Sequence, residues 1–382
     1  MTQVLADDRL NAAEHSPLLS TAVRDHARSL TGWVVVDSLV DGMAMGGTRM
    51  TSTVTEQEVC DLAAAMTVKL ALVGLRIGGA KAGIVSVPEH REDVLRAFGR
   101  SVAPLLHGGV YLGCDQGTTH DDRDLFFVEA GFDVSRKPGI TRMRDDWTDL
   151  WRHLKDITGY GVAEAALEAL RLRADDQQRR VAIQGFGTVG RSVAKNLLAG
   201  GHKIVAVADV LGTVAAPDGL PVAELLEITD PAGTIDRARL PESVTALTGP
   251  EAWLDVDAEV LVLAAGGAAI REDNLDRLRA DVVVEGGNLC CTSAAKKRLR
   301  AAGTVIIPDV VANVGGAGVT GCILTGLAPS DVPTEELVSW LFDWVGQQVR
   351  RNTRDVLAIA AKHPGDPIPE LLATRRAEGA GV

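Results

Sequence analysis

Val181-Ala-Ile-Gln-Gly185-Phe-Gly187-Thr188-Val189-Gly190 carries a short apolar run into three glycines spaced G-x-G-x-x-G. Val189, Val193 and Leu197 then recur at helical spacing, Gly200-Gly201 stops the helix, and a second apolar run from Ile204 closes on Asp209, nineteen positions after Gly190. Alone the glycine pattern is weak; between two strands and opening a helix it predicts a βαβ dinucleotide-binding unit. Gly185 permits the tight turn, Gly187 lets a pyrophosphate approach, and Gly190 lets helix and strand pack closely. Thr188 and Val189 begin a helix whose N-terminus favours phosphate charge. Asp209 would accept hydrogen bonds from the adenosine ribose hydroxyls and repel a 2'-phosphate, which reads as NAD rather than NADP.

Downstream, strands near 259–264, 281–285 and 304–307 alternate with helices, as in a doubly wound parallel sheet. Asn288, in Glu285-Gly-Gly-Asn288, and Asn313, in Pro308-Asp-Val-Val-Ala-Asn313, follow such strands; they are candidate cofactor contacts and equally ordinary turn formers. A long amphipathic helix is predicted over 334–362, with Leu337, Trp340, Leu341, Trp344 and Val345 on one side, and the proline- and glycine-rich end is predicted to fray.

Upstream, residues 1–31 read as a helix or two, and Gly32 to Asp37 as a buried strand. Gly46-Gly47 reads as a turn. Thr55-Glu-Gln-Glu58 is a capping box opening a helix with Val59, Leu62, Met66, Leu70 and Val73 toward the core. Lys69 lies beside that stripe. Lys81 emerges from Gly78-Gly-Ala-Lys81-Ala-Gly83, read as a glycine-rich turn before a strand at 84–87; a helix over roughly 90–106 and a strand from Gly109 ending at Asp115 follow. On spacing alone both amines are open between solvated lysines and a reaction centre, and Asp115 between a turn former and a catalytic carboxylate.

The chain has 382 residues, 46% hydrophobic, enough for two domains with separate cores. Its formal charge of -12 disfavours nucleic acid or an anionic membrane as partner and points to small molecules. No basic segment leads into an apolar one at the start, and the longest apolar run, Val260 to Ile270, is broken by Gly266-Gly267 and falls short of the about 20 residues a bilayer needs, so a cytoplasmic protein is expected. The five cysteines lack any Cys-x-x-Cys pair, which points to free thiols and no metal site.

From about residue 30 to about 325, the order and spacing of Gly46-Gly-Thr-Arg-Met50, Met66-Thr-Val-Lys69, Gly78-Gly-Ala-Lys81-Ala-Gly83, Asp115-Gln-Gly-Thr118, Thr158-Gly-Tyr-Gly161, the Gly185 fingerprint, Glu285-Gly-Gly-Asn288 and Pro308 to Asn313 resemble the glutamate/leucine/phenylalanine/valine dehydrogenase family. The resemblance implies an α/β protein: a substrate-binding and oligomerisation domain over 1–150, joined by a C-terminal helix over 330–382, and a Rossmann NAD-binding domain over 151–329. Residues 135–157, with Trp147 and Trp151, would connect them. It implies that Lys69 holds the substrate α-carboxylate, Lys81 is the catalytic amine, Asp115 assists proton transfer, Thr158 touches the nicotinamide carboxamide, and Asn288 and Asn313 line the cleft. It implies further a homo-oligomer interconverting an L-amino acid with a 2-oxo acid and ammonia.

Glutamate-specific members are expected to carry a lysine immediately before the Gly46-Gly47 pair; this chain has Met45. A γ-carboxylate buried against a thioether without a counter-ion would cost several kcal/mol, so an apolar side chain, branched or aromatic, is the expected substrate. Ala317 to Thr320 would form the second pocket wall, small enough for such a group. Arg76 is an additional charge expected near the cleft. Two alternatives fit the same residues: reductive amination of a specialised 2-oxo acid, and a catalytically silent dinucleotide-binding sensor, against which the joint presence of Lys69, Lys81 and Asp115 argues.

Overall fold

The computed structural model describes residues 16–133, 147–172, 177–249, 251–363 and 365–379. They divide into two compact units: one from residues up to Thr148 with Thr320–Asp331 and the chain from Leu372, the other from Asp149–Val319 and Val332–Leu371. Among the described residues no helix is long and apolar enough to cross a membrane.

The first unit is a five-stranded mixed sheet. Its strands are β1 (Leu19–Asp25), β2 (Leu30–Val36), β3 (Ala44–Thr51), β4 (Gly78–Val85) and β5 (Val110–Cys114), in the order β1-β2-β4-β3-β5. Helices α1 (Glu56–Leu72), α2 (Arg91–His107) and α3 (His120–Glu129) connect and cover them. β3 is parallel to β4 and β5, while β1 and β2 run antiparallel to their neighbours.

Three sequence expectations change here. Part of the segment expected to be helical, Leu19–Asp25, is an edge strand paired with β2; only Val23 of it is buried, so ladder hydrogen bonds rather than apolar periodicity define it. Residues 1–15 lie outside the described residues. The glycine-rich stretches are not turns: Gly46-Gly47 lies inside β3 and Gly78-Gly79 opens β4. A Cβ at Gly46 would run into the Ala80 carbonyl of the neighbouring strand, so glycine here marks close approach rather than flexibility. The chain end does not simply fray: α12 (Ile368–Gly379) buries Ile368, Leu371, Leu372 and Arg375, spaced i, i+3, i+4 and i+7.

The second unit opens with α4 (Trp147–His153) and α5 (Ile157–Arg171), so Thr158-Gly-Tyr-Gly161 lies inside a helix rather than before it; residues 135–146 of the expected connection lie outside the described residues. A seven-stranded sheet follows, built from β6 (Arg180–Gln184), β7 (Lys203–Asp209), β8 (Gly212–Ala215), β9 (Thr245–Ala246), β10 (Val260–Leu263), β11 (Val282–Glu285) and β12 (Val305–Ile307). The order is β12-β11-β10-β6-β7-β8-β9. β12 through β7 are parallel and almost wholly apolar, as strands covered on both faces must be, whereas β8 and β9 add an antiparallel edge to the expected sheet. Its helices are α6 (Thr188–Ala199), α7 (Val222–Glu227), α8 (Ser293–Ala301), α9 (Asp309–Ala312), the start of α10 (Gly315–Leu324), and α11 (Thr334–Ala360).

α11, expected to join the first domain, belongs to the second unit. It packs on α5, where Arg350 pairs with Glu164, Arg354 Nη1 lies 3.0 Å from Glu168 Oε1, and the rings of Tyr160 and Phe342 meet edge-on at 5.1 Å. The Glu164 and Glu168 carboxylates, one turn apart on α5, thus select arginines one turn apart on α11.

Candidate active site and dinucleotide cradle

Strand alternation assembles the first site. The register pairing Met45 with Gly79 and Thr48 with Ala82 puts Met45, Gly47 and Arg49 on the same sheet face as Gly79, Lys81 and Gly83. A Cβ at Gly79 would strike Thr67 and one at Gly83 would strike Val59, so this face lies beneath α1. Lys69 sits on that helix, and both lysines are withdrawn from water, Lys69 at 3% and Lys81 at 4% exposure. Lys81 is level with Gly47, where a Cβ would collide with the Asp115 side chain; the missing side chain at Gly47 lets amine and carboxylate meet.

They meet at 3.0 Å, Lys81 Nζ to Asp115 Oδ2, and Arg49 Nε donates to the same oxygen at 3.1 Å. Arg49 also pairs with Glu58, whose carboxylate is thereby engaged. The expected capping box is half realised: the Thr55 hydroxyl accepts from the Glu58 N–H at 3.2 Å. Behind Asp115 the turn is tied by its own N–H donating to the Thr118 hydroxyl at 2.9 Å. Burial pushes the Asp115 carboxyl upward, but the adjoining Lys81 and Arg49 charges outweigh it and hold the group at about 2. Asp115 therefore stays ionised at neutral pH and holds the Lys81 amine by charge.

Arg49 had not been assigned a role from sequence. The signal was available in the strand alternation that puts it on the face of Met45 and Lys81, and was hidden by reading the glycines as a turn.

Met45 is 3% exposed. A Cβ at Gly321 of α10 would lie 3.5 Å from its sulfur and from Leu70 Cδ2, and closer still to Leu75 Cδ1, so its surroundings are apolar. Thr320, next along α10, is buried in the same unit, whereas Ala317 falls in the second. Gly46 lies on the opposite sheet face from Met45, toward the Ala80 carbonyl. Arg76 does not serve this site: it forms a fork with Asp41, Nε to Oδ2 at 2.9 Å, on the surface.

In the second unit the parallel strands bring Gly185, Asp209, Asn288 and the Pro308 turn to one carboxyl-terminal sheet edge. Gly185 has φ +94°, and a Cβ at Gly190 would strike the Gly185 carbonyl, so turn and helix touch as the fingerprint requires. Gly187 is the N-cap of α6 in extended conformation; no side chain caps the helix, and a Cβ there would meet no atom within 4 Å. Thr188, Val189 and Gly190 form its first turn. Open space before unclaimed helix N–H groups fits a pyrophosphate. On the same edge, Thr158 Oγ1 accepts from Gly316 N at 3.1 Å, the Asn313 amide donates to the Gly286 carbonyl, and the Asn288 carbonyl accepts from Gly267 N at 3.3 Å.

Asp209 is the correction. Its side chain is 2% exposed and its carboxylate is already in use. Oδ1 accepts from Leu211 N at 2.8 Å and Arg237 Nη2 at 2.6 Å; Oδ2 accepts from Ile235 N at 2.7 Å and Arg237 Nη1 at 2.9 Å. The sequence placed the acid correctly at the strand end but could not show an arginine 28 positions later folding back onto it.

Residues 152–336 match the family model described as Glutamate/Leucine/Phenylalanine/Valine dehydrogenase, and residues 19–127 match the Glu/Leu/Phe/Val dehydrogenase dimerisation domain. The chain is 32% identical to the NADP(+)-dependent glutamate dehydrogenase of Pyrobaculum calidifontis over 332 residues, 83% of this chain and 75% of that one. It is 30% identical to the NAD-specific glutamate dehydrogenase A of Halobacterium salinarum, over 76% of this chain and 67% of that protein. Among solved structures, the hetero-hexameric glutamate dehydrogenase of Thermus thermophilus in its Leu-bound form superposes with a TM-score of 0.74 at 27% identity, covering 94% of this chain and 88% of that one.

Proposed function

The chain belongs to the glutamate/leucine/phenylalanine/valine dehydrogenase family, and from that premise we propose that it catalyses nicotinamide-dinucleotide-dependent, reversible oxidative deamination of an apolar L-amino acid to its 2-oxo acid and ammonia, as a homo-oligomer. The observation that carries the reading is the buried contact of Lys81 with Asp115 on a sheet face covered by the helix bearing Lys69. A sensor needs only the glycine cradle and has no use for two buried lysines.

Lys69 binds the substrate α-carboxylate, offsetting the cost of burying it. The bound dinucleotide supplies the hydride acceptor. Hydride loss from Cα leaves an iminium; water adds to that carbon while Lys81 takes the released proton. That proton moves from Lys81 by way of Asp115 to the nitrogen, which leaves Lys81 neutral again; the C–N bond breaks, ammonia leaves, and the carbinol O–H proton passes to Lys81 as the carbonyl forms. In the reverse direction the same groups give reductive amination. Thr158, Asn288 and Asn313 are proposed to line the nicotinamide side.

The curated relatives above are glutamate dehydrogenases by name; Met45 supports a different side chain here. A γ-carboxylate placed against its sulfur, Leu70 and Leu75 would lose its hydration with no cation gained. The test is NADH formation at alkaline pH over a panel of L-amino acids. Turnover of leucine, valine or phenylalanine is expected; turnover of glutamate alone would overturn the substrate assignment, and dinucleotide binding without any turnover would replace the enzyme by a sensor.

A further inference from the structure

The acid at the end of β7 should select NAD by accepting the ribose hydroxyls and repelling a 2'-phosphate, yet a carboxylate has about four acceptor positions and Asp209 has filled four. Two come from one guanidinium in a parallel fork, which cancels its formal charge as well as occupying its lone pairs. Arg237 is itself held: Nη1 donates to the Ile235 carbonyl and Nη2 to the Gly212 carbonyl, both at 3.0 Å.

The segment bearing Arg237 is anchored to the cradle at its other end. Arg191, on α6, donates to the Asp230 and Pro231 carbonyls at 3.2 Å, and a Cβ at Gly233 would lie 2.7 Å from the Gly187 Cα. Residues 230–237 thus run from the phosphate turn to the ribose-reading acid and keep the arginine on it.

We propose that Arg237 is a specificity-determining residue that silences Asp209, so that the cradle accepts NADP as well as NAD. A 2'-phosphate arriving there meets a neutral fork whose arginine side chain is 22% exposed, not a bare carboxylate. This rests on the dinucleotide reading above.

The test is calorimetric titration of the full-length protein with NAD and with NADP, without amino acid. Dissociation constants within about tenfold of each other are expected for the native chain; a preference for NAD of a hundredfold or more overturns the inference and leaves the dinucleotide site standing, whereas no binding of either overturns both. Arg237→Ala frees the carboxylate and should weaken NADP relative to NAD by about tenfold or more; an unchanged ratio is a refutation. Should that variant melt before titration, the double variant Arg237→Ala with Asp209→Asn decides: removing both partners leaves the site as neutral as the native pair, so the NADP to NAD ratio should stay within about threefold of native, and a larger shift in either direction overturns the inference.

Discussion

Replacing Asp115 by asparagine keeps the shape of the side chain and removes the one charge that Lys81 and Arg49 share. Lowering a carboxyl from its ordinary 3.8 to about 2 corresponds to about 2 kcal/mol of folding stability at neutral pH. Leaving two buried cations without that partner raises the loss to about 3–5 kcal/mol. For a domain of moderate size this lowers the melting temperature by roughly 5–15 °C. Because the folded pKa lies below the unfolded one, the contribution is complete above about pH 4 and is lost as pH falls through the folded value. The gap in melting temperature between native and Asp115→Asn proteins should accordingly be flat from pH 7 to 5 and narrow below about pH 4. A gap that is absent at pH 7, or that stays constant down to pH 3, would refute the assignment of the low pKa to the Lys81 and Arg49 contacts. Turnover of the variant should fall by about 10²–10⁴-fold if Asp115 also relays a proton.

Lys81→Ala should abolish amino-acid turnover while dinucleotide affinity, measured by titration, stays nearly native; substantial residual activity would remove Lys81 from the role of base. Met45→Lys adds a cation among apolar neighbours and should lower the melting temperature without ligand while raising glutamate turnover relative to leucine, read as a ratio of kcat/KM values. Gly190→Ala drives a Cβ into the Gly185 carbonyl and should weaken dinucleotide binding by titration, with the first unit's amine site untouched.

Much of the second unit is local in origin. The chain from Val181 to Asp209 carries its own turn glycines, helix period and strand runs, so strand, cradle and helix follow from neighbouring residues, and the lysines and Asp115 were visible by family likeness. The first unit resisted because Gly46, Gly47, Gly78 and Gly79 have the composition of turns. They are strand residues because the neighbouring strands and α1 press so close that no side chain fits, and nothing local to either stretch records that pressure. The same holds for Leu19–Asp25, a strand by virtue of its β2 partner.

Residue order alone determined that a dinucleotide cradle exists, that two lysines and an aspartate accompany it, and that Met45 stands before the glycine pair. Tertiary structure decided what those groups face. It set Lys81 against Asp115 across the gap at Gly47, joined Arg49 to them, assigned α11 to α5, and closed Arg237 onto Asp209. Each of these joins residues distant in the chain, and the contact depends on register and packing that only the folded sheet defines.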